Sequence, residues 1–243
     1  MRLTCAVLIV SGCLSTPVLA QSPVPVDTIA TVANIEALIT QNVSRLEKSL
    51  ADASKFDDLK EKGIRESFGM LSVLGQALAE HSDRTESKIN GPALRDAALA
   101  YNNDGTHEEA VAAFKQVQDV LAGKVTGDHV KFHSWGKLIG MAPMMEELNA
   151  SNSEILRVLR RPRGKDEEVL PAVKWGLLSL TMKVDTHAVQ KPEDLSKWNG
   201  WSDEFREASL KLAEAIRNKD GTEGRKWFDK GNAACEACHE VFQ

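Results

Sequence analysis

Apolar residues recur along this chain at steps of three and four. Ile35, Leu38, Val43, Leu46 and Leu50 form one series, and Phe68, Leu71, Leu74 and Leu78 a second. Leu148, Ile155, Leu156 and Leu159 form a third, and Val173, Leu177, Leu180 and Val184 a fourth. A period near 3.6 is that of a helix with one face turned to a core. No stretch alternates apolar and polar residues as a half-buried strand would. The pattern predicts an all-α protein. Asn103-Asp104-Gly105-Thr106 reads as the end of one helix and the start of the next. Gly105 suits the left-handed position after a helix, and Thr106 with Glu109 forms a capping box. Asn218-Lys219-Asp220-Gly221-Thr222 is expected to do the same job.

These two turns are 116 residues apart, and the similarity extends further. Ile35-Glu36-Ala37-Leu38 aligns with Met145-Glu146-Glu147-Leu148, and Phe68-Gly69-Met70-Leu71-Ser72 with Trp175-Gly176-Leu177-Leu178-Ser179. The offsets of 110, 107 and 116 differ by loop-sized amounts, as in a duplication. Each half holds about four amphipathic helices, which most simply close into an up-down-up-down bundle. The expected organisation is two tandem four-helix bundles, 21–124 and 135–243, joined by a linker at 125–134.

Residues 1–20 read as an export signal, with Arg2 at the positive end, apolar Leu3 to Val10, and small residues before Gln21. Val10-Ser11-Gly12-Cys13 offers a second reading, a lipobox that would leave the protein anchored through a lipidated Cys13. Both predict an exported, periplasmic protein with no transmembrane span, since no later stretch has about 20 apolar residues. The formal charge of −5 gives no positive field for nucleic acid. Beyond the signal only Cys235 and Cys238 remain.

Those two cysteines belong to Cys235-Glu236-Ala237-Cys238-His239, the C-x-x-C-H spacing of covalent haem attachment. On a helix, positions i, i+3 and i+4 share a face. Two thiols can then meet two vinyl groups while the imidazole reaches the iron. A zinc site would need a second pair of ligands, a redox dithiol a βαβ context, and a plain disulfide would leave His239 without a part. One haem c is therefore expected on Cys235, Cys238 and His239, with His239 the proximal ligand.

A C-x-x-C-H motif on the last helix of a four-helix set resembles the cytochrome c′ family, the class II c-type cytochromes. The likeness rests on Gly231 to Phe242 and covers about residues 135–243, with the first half a diverged copy. That family usually has Arg or Lys after the final aromatic residue, where this chain has Gln243. In the first copy Asp119, Ala122 and Gly123 occupy the places of Cys235, Cys238 and His239, which predicts a haem-free bundle with an apolar filling.

In an antiparallel set the start of the first helix lies beside the end of the fourth, which brings the methionine cluster Met141, Met144 and Met145 towards the haem. Thioether sulfur is a suitable axial ligand and raises the potential of an electron-transfer haem. Met145 is the first choice, with Met141 and Met144 as alternatives. The other role for these methionines is to fill core beside the porphyrin. His129 and His133, in the linker, are lesser candidates for a second imidazole. His81 and His187 end helices, and His107 is expected to be solvated. Among Trp135, Trp175, Trp198, Trp201, Trp227 and Phe228, the pair Trp227 and Phe228 are the expected haem contacts, and Arg225 or Lys226 the expected propionate partner.

The expected function is single-electron transfer between redox partner proteins rather than enzymatic turnover, since no distal His/Arg pair of peroxidase type is present. The alternative is a five-coordinate haem that binds NO or CO, as the resemblance to cytochromes c′ implies. The haem-less half is expected to act as a docking or homodimerisation platform.

Overall fold

The computed structural model describes residues 21–129 and 133–242. Residues 1–20, where the sequence reading places an export signal and Cys13, and the terminal Gln243 lie outside the described residues. Among the described residues the structure is helical and holds no strand, and no helix is long and apolar enough to cross a membrane.

The first half contains α1 (Val32–Leu50), a single turn α2 (Phe56–Leu59), α3 (Arg65–Glu80), α4 (Gly91–Leu99) and α5 (His107–Leu121). Helix α1 opens with a capping box between Thr31 and Asn34 and buries Ile35, Leu38, Leu46 and Leu50 along one stripe. Gly63, at φ +84°, breaks the chain before α3. The Thr106–Glu109 capping box opens α5 as its sequence predicts. Gly105 is not left-handed, however: it is buried where a Cβ would meet the Glu109 carboxylate at 2.5 Å. A side chain there would crowd the Glu109 carboxylate of the capping box and the Asn102 carbonyl at 3.1 Å.

The second half contains α6 (Met141–Leu159), α7 (Asp166–Val184), α8 (Leu195–Arg217) and α9 (Gly221–Phe242). At the α8–α9 turn it is Lys219, at φ +60°, that takes the left-handed angle, while Gly221 already begins α9. Asp220, rather than Thr222, caps α9 by accepting from the Glu223 amide at 2.9 Å.

Contacts close each half into a ring: α1 on α3 and α5, α4 on α3 and α5; then α6 on α7 and α9, α8 on α7 and α9. Helices α3 and α7 also meet each other, and α1 lies on α7 and α6 on α3. This central position explains why α7 is buried almost continuously from Glu168 to Met182, beyond the stripe its apolar period implies. The segment before α6 serves both halves. Trp135 Nε1 donates to Glu80 at 3.2 Å, the Ser72 hydroxyl donates to the Leu138 carbonyl, and Ile139 packs on Gly69.

Candidate haem-attachment site

The last turns of α9 continue a stripe of small residues. Gly224 lies against Leu159, and a Cβ on Gly231 would come within 2.8 Å of the Trp175 ring. That close approach sets α9 into its half, and the same stripe runs on through Ala234 to Cys235 and Cys238. Both cysteines are free thiols, half-buried, one helical turn apart. They line a cavity with Ala234, His239 and Phe242 of the same helix. Its other walls are Met141 and Met145 at the start of α6, Met182 at the end of α7, and Trp198, Trp201 and Phe205 at the start of α8. Four helix ends thus meet where the antiparallel arrangement brings them together.

The cavity is apolar, and no Lys or Arg lines it. Burial pushes the Cys235 thiol up to about 12, helped by Cys238 and Glu236, and burial likewise raises Cys238. Burial thus disfavours the thiolate form of both sulfurs. A reactive redox dithiol needs the opposite, a thiolate stabilised by its surroundings. Among the described residues no three His, Cys, Asp or Glu side chains converge on a site for a bare metal ion.

Met141 and Met145 are one turn apart and reach the cavity together. Met144 lies a third of a turn away, is buried, and its sulfur accepts from Thr181 Oγ1 at 3.4 Å. Met182 is a third cavity thioether that the sequence reading missed. The antiparallel argument that picks out the start of α6 also picks out the end of α7, and that is the signal that would have found it.

The aromatic wall differs from the expected one. Phe228 stacks on Trp175 with centroids 5.6 Å apart, and Trp227 donates to Glu223 at 2.6 Å. Neither lines the cavity. Phe242 does, standing edge-on to Trp198 at 5.1 Å and to Trp201 at 6.0 Å. Trp198 is fixed by donating to the Met182 carbonyl at 2.9 Å. Arg225 pairs with Asp229 at 2.9 Å and Lys226 with Glu223 at 3.0 Å, both outside the cavity. His129 and His133 are held by Asp96 of α4, at 3.0 and 3.3 Å. His107 is half-buried rather than solvated: its Nε2 bonds the Leu50 carbonyl at 2.9 Å and its ring meets Phe56 edge-on. His81 is buried and donates from Nε2 to the Ala30 carbonyl at 2.9 Å, while His187 is exposed beside Asp185.

The donor set fits a covalently held haem. Two thiols and an imidazole share one helix face, and thioether sulfurs from α6 and α7 line the same cavity. The enclosed volume, about 130 Å³, is below the roughly 300–1,000 Å³ of sites that enclose a whole ligand. A macrocycle would enter only as far as the side chains of the lining give way.

The cavity at the end of α5 in the first half is differently lined, with Asp96 of α4, Gln116 and Asp119 of α5, Lys124 and His129, and helix length gives one reason for the difference. Helix α4 has 9 residues where α8 has 23. Matched at their C-terminal ends, α4 lacks the turns that in α8 carry Trp198, Trp201 and Phe205. The remainder of α4 presses onto α3, where a Cβ on Gly75 would lie 2.5 Å from the Arg95 nitrogen.

Compared with protein-family models, curated proteins and solved structures, the chain matches none of them.

Proposed function

We propose that this protein is an exported c-type cytochrome that carries one covalent haem in its second half and transfers single electrons between partner proteins. In this reading each half is a four-helix bundle of the cytochrome c′ kind, and the first has lost its cofactor. The observation that carries the proposal is the convergence of Cys235, Cys238 and His239 with the cavity thioethers in one apolar pocket. Haem, when bound, supplies a one-electron iron couple.

The chain's own residues do the rest. Cys235 and Cys238 would hold the group covalently, each through its sulfur. His239, one residue beyond Cys238, would hold the iron through a ring nitrogen, and Met145, with Met141 next to it, would offer a thioether sulfur from α6. Trp198, Trp201, Phe205 and Phe242 exclude water, which lowers the local dielectric around the iron and tunes its potential.

The test is an optical spectrum of protein made in a host that attaches haem c. The expected result is a reduced spectrum with a sharp low-spin α band, retained after acid–acetone extraction and abolished when both cysteines are replaced by Ala. Met145→Ala should give a high-spin spectrum, a lower reduction potential and rapid CO binding, while Met144→Leu should leave the spectrum unchanged. Colourless protein overturns the haem assignment. A high-spin, CO-binding wild type overturns the electron carrier in favour of a gas-binding haem.

A further inference from the structure

The contact between the two halves repeats itself in reverse. Ile29, just before α1, packs on Gly176 of α7, and Ile139, just before α6, packs on Gly69 of α3. A Cβ on Gly176 would lie 2.7 Å from Ile29, and one on Gly69 would lie 2.6 Å from Ile139. In the register that aligns Ile35 with Met145, Ile29 corresponds to Ile139. In the register that aligns Phe68 with Trp175, Gly69 corresponds to Gly176. The helices obey the same rule, with α1 on α7, α6 on α3, and α3 against α7 between them. Contacts in which i meets j′ while j meets i′ define a two-fold, self-complementary interface. Here both partners lie in one chain.

One cluster breaks that symmetry. Glu147 of α6 is fully buried and is held by Arg45 of α1 and by Lys174 of α7, the latter at 2.9 Å. Arg45 also reaches Glu66 of α3 at 3.5 Å and Asn42 Oδ1 at 2.7 Å. The equivalents of Glu147, Arg45, Lys174 and Glu66 in the opposite half are Ala37, Ile155, Ser67 and Val173. None of them is charged.

We propose that the Arg45–Glu147–Lys174 cluster makes the two halves select each other over copies of themselves, so that the haem-less half is a permanent internal partner and the chain is a monomer. Two second halves would set Ile155 where Arg45 stands and leave the buried Glu147 with Lys174 alone. Two first halves would set Ala37 where Arg45 needs its second carboxylate. An unpaired or under-paired buried charge is costly, whereas the shape of the interface accepts either pairing. The α3 and α7 faces that a separate half would expose are thereby covered within one molecule. This inference is independent of haem and survives if the cytochrome reading fails.

The test uses residues 21–243 with a protease site inserted between Gly127 and Asp128, where the chain is exposed. Isotope-labelled and unlabelled cut protein are mixed, and native mass spectrometry reads the pairs. The uncut chain is expected to be monomeric by light scattering. The cut halves should stay together as 1:1 unlike pairs, with like pairs under a tenth of the signal. Arg45→Ile with Glu66→Val, Glu147→Ala and Lys174→Ser, which gives each of the four positions the residue of its equivalent in the other half, should raise like pairs at least fivefold. Gly176→Leu, which blocks the Ile29 contact, should weaken the 1:1 pair at least tenfold. A dimeric uncut chain, wild-type halves that part on cutting, or like pairs as abundant as unlike ones overturns the proposal.

Discussion

One residue along a helix is a rotation of 100°, and that step separates Met144 from Met145. Met144 faces Thr181 in the interior, whereas Met145 shares the cavity with Met141. Glu168 shows the same sensitivity to its immediate neighbours. It accepts from Arg163 Nε at 2.8 Å, from the Arg163 amide at 2.7 Å and from the Lys165 amide, and these bonds, led by the Arg163 side chain, bring its carboxyl down to about 2. Because the folded value lies below the ordinary 4.5, the stabilisation is complete above pH 4.5 and is lost as pH falls towards 2. Circular dichroism during acid titration should show the wild type losing stability across that window. Glu168→Gln should be less stable than wild type at pH 7 and have a flatter acid limb.

At the scale of elements, the closeness of α3 and α4 decides what the first half can hold. Alanine at Gly75 would gain about 1 kcal/mol of helix propensity. Its Cβ would also lie 2.5 Å from the Arg95 nitrogen and 2.8 Å from the Gly91 carbonyl, which are backbone atoms that cannot swing away. Overpacking of that kind costs about 1–3 kcal/mol, so the clash wins. Gly75→Ala should lower the urea midpoint. Gly200→Ala in α8, where nothing lies within 4 Å, should raise it, through a stability gain of roughly 0.5–1 kcal/mol.

For the whole molecule, the buried Glu147 is the most exposed point of failure. Burial works against its ionisation, but Lys174 and Arg45 outweigh that and hold its carboxyl below the usual range. Removing the carboxylate leaves Lys174 charged in the interior. Glu147→Ala should therefore cost about 3–5 kcal/mol at pH 7, measured by urea unfolding. Replacing all three charged residues by apolar ones of similar size should recover most of that loss.

The helices, the capping box at Thr106 and the motif on α9 were legible because each depends on residues within about four positions of one another. Cys235, Cys238 and His239 share a face in any helix that contains them. The left-handed residue of the α8–α9 turn was misplaced because a turn's sequence allows several backbone solutions, and packing of Gly221 against the Leu159 carbonyl chose between them. Trp227 and Phe228 were expected at the cavity because they precede the motif by two turns, but rotation about α9 directs Phe228 to Trp175 instead.

The sequence alone thus determined that the chain is helical and that one helix face carries two thiols and an imidazole, since local period and spacing encode both. Only the tertiary structure decided which methionines and aromatic rings meet that face, and that Arg45 and Glu147, 102 positions apart, share one buried charge cluster. Those pairings depend on how helices rotate and dock, which is set by the volume and polarity of distant side chains rather than by the order of neighbours.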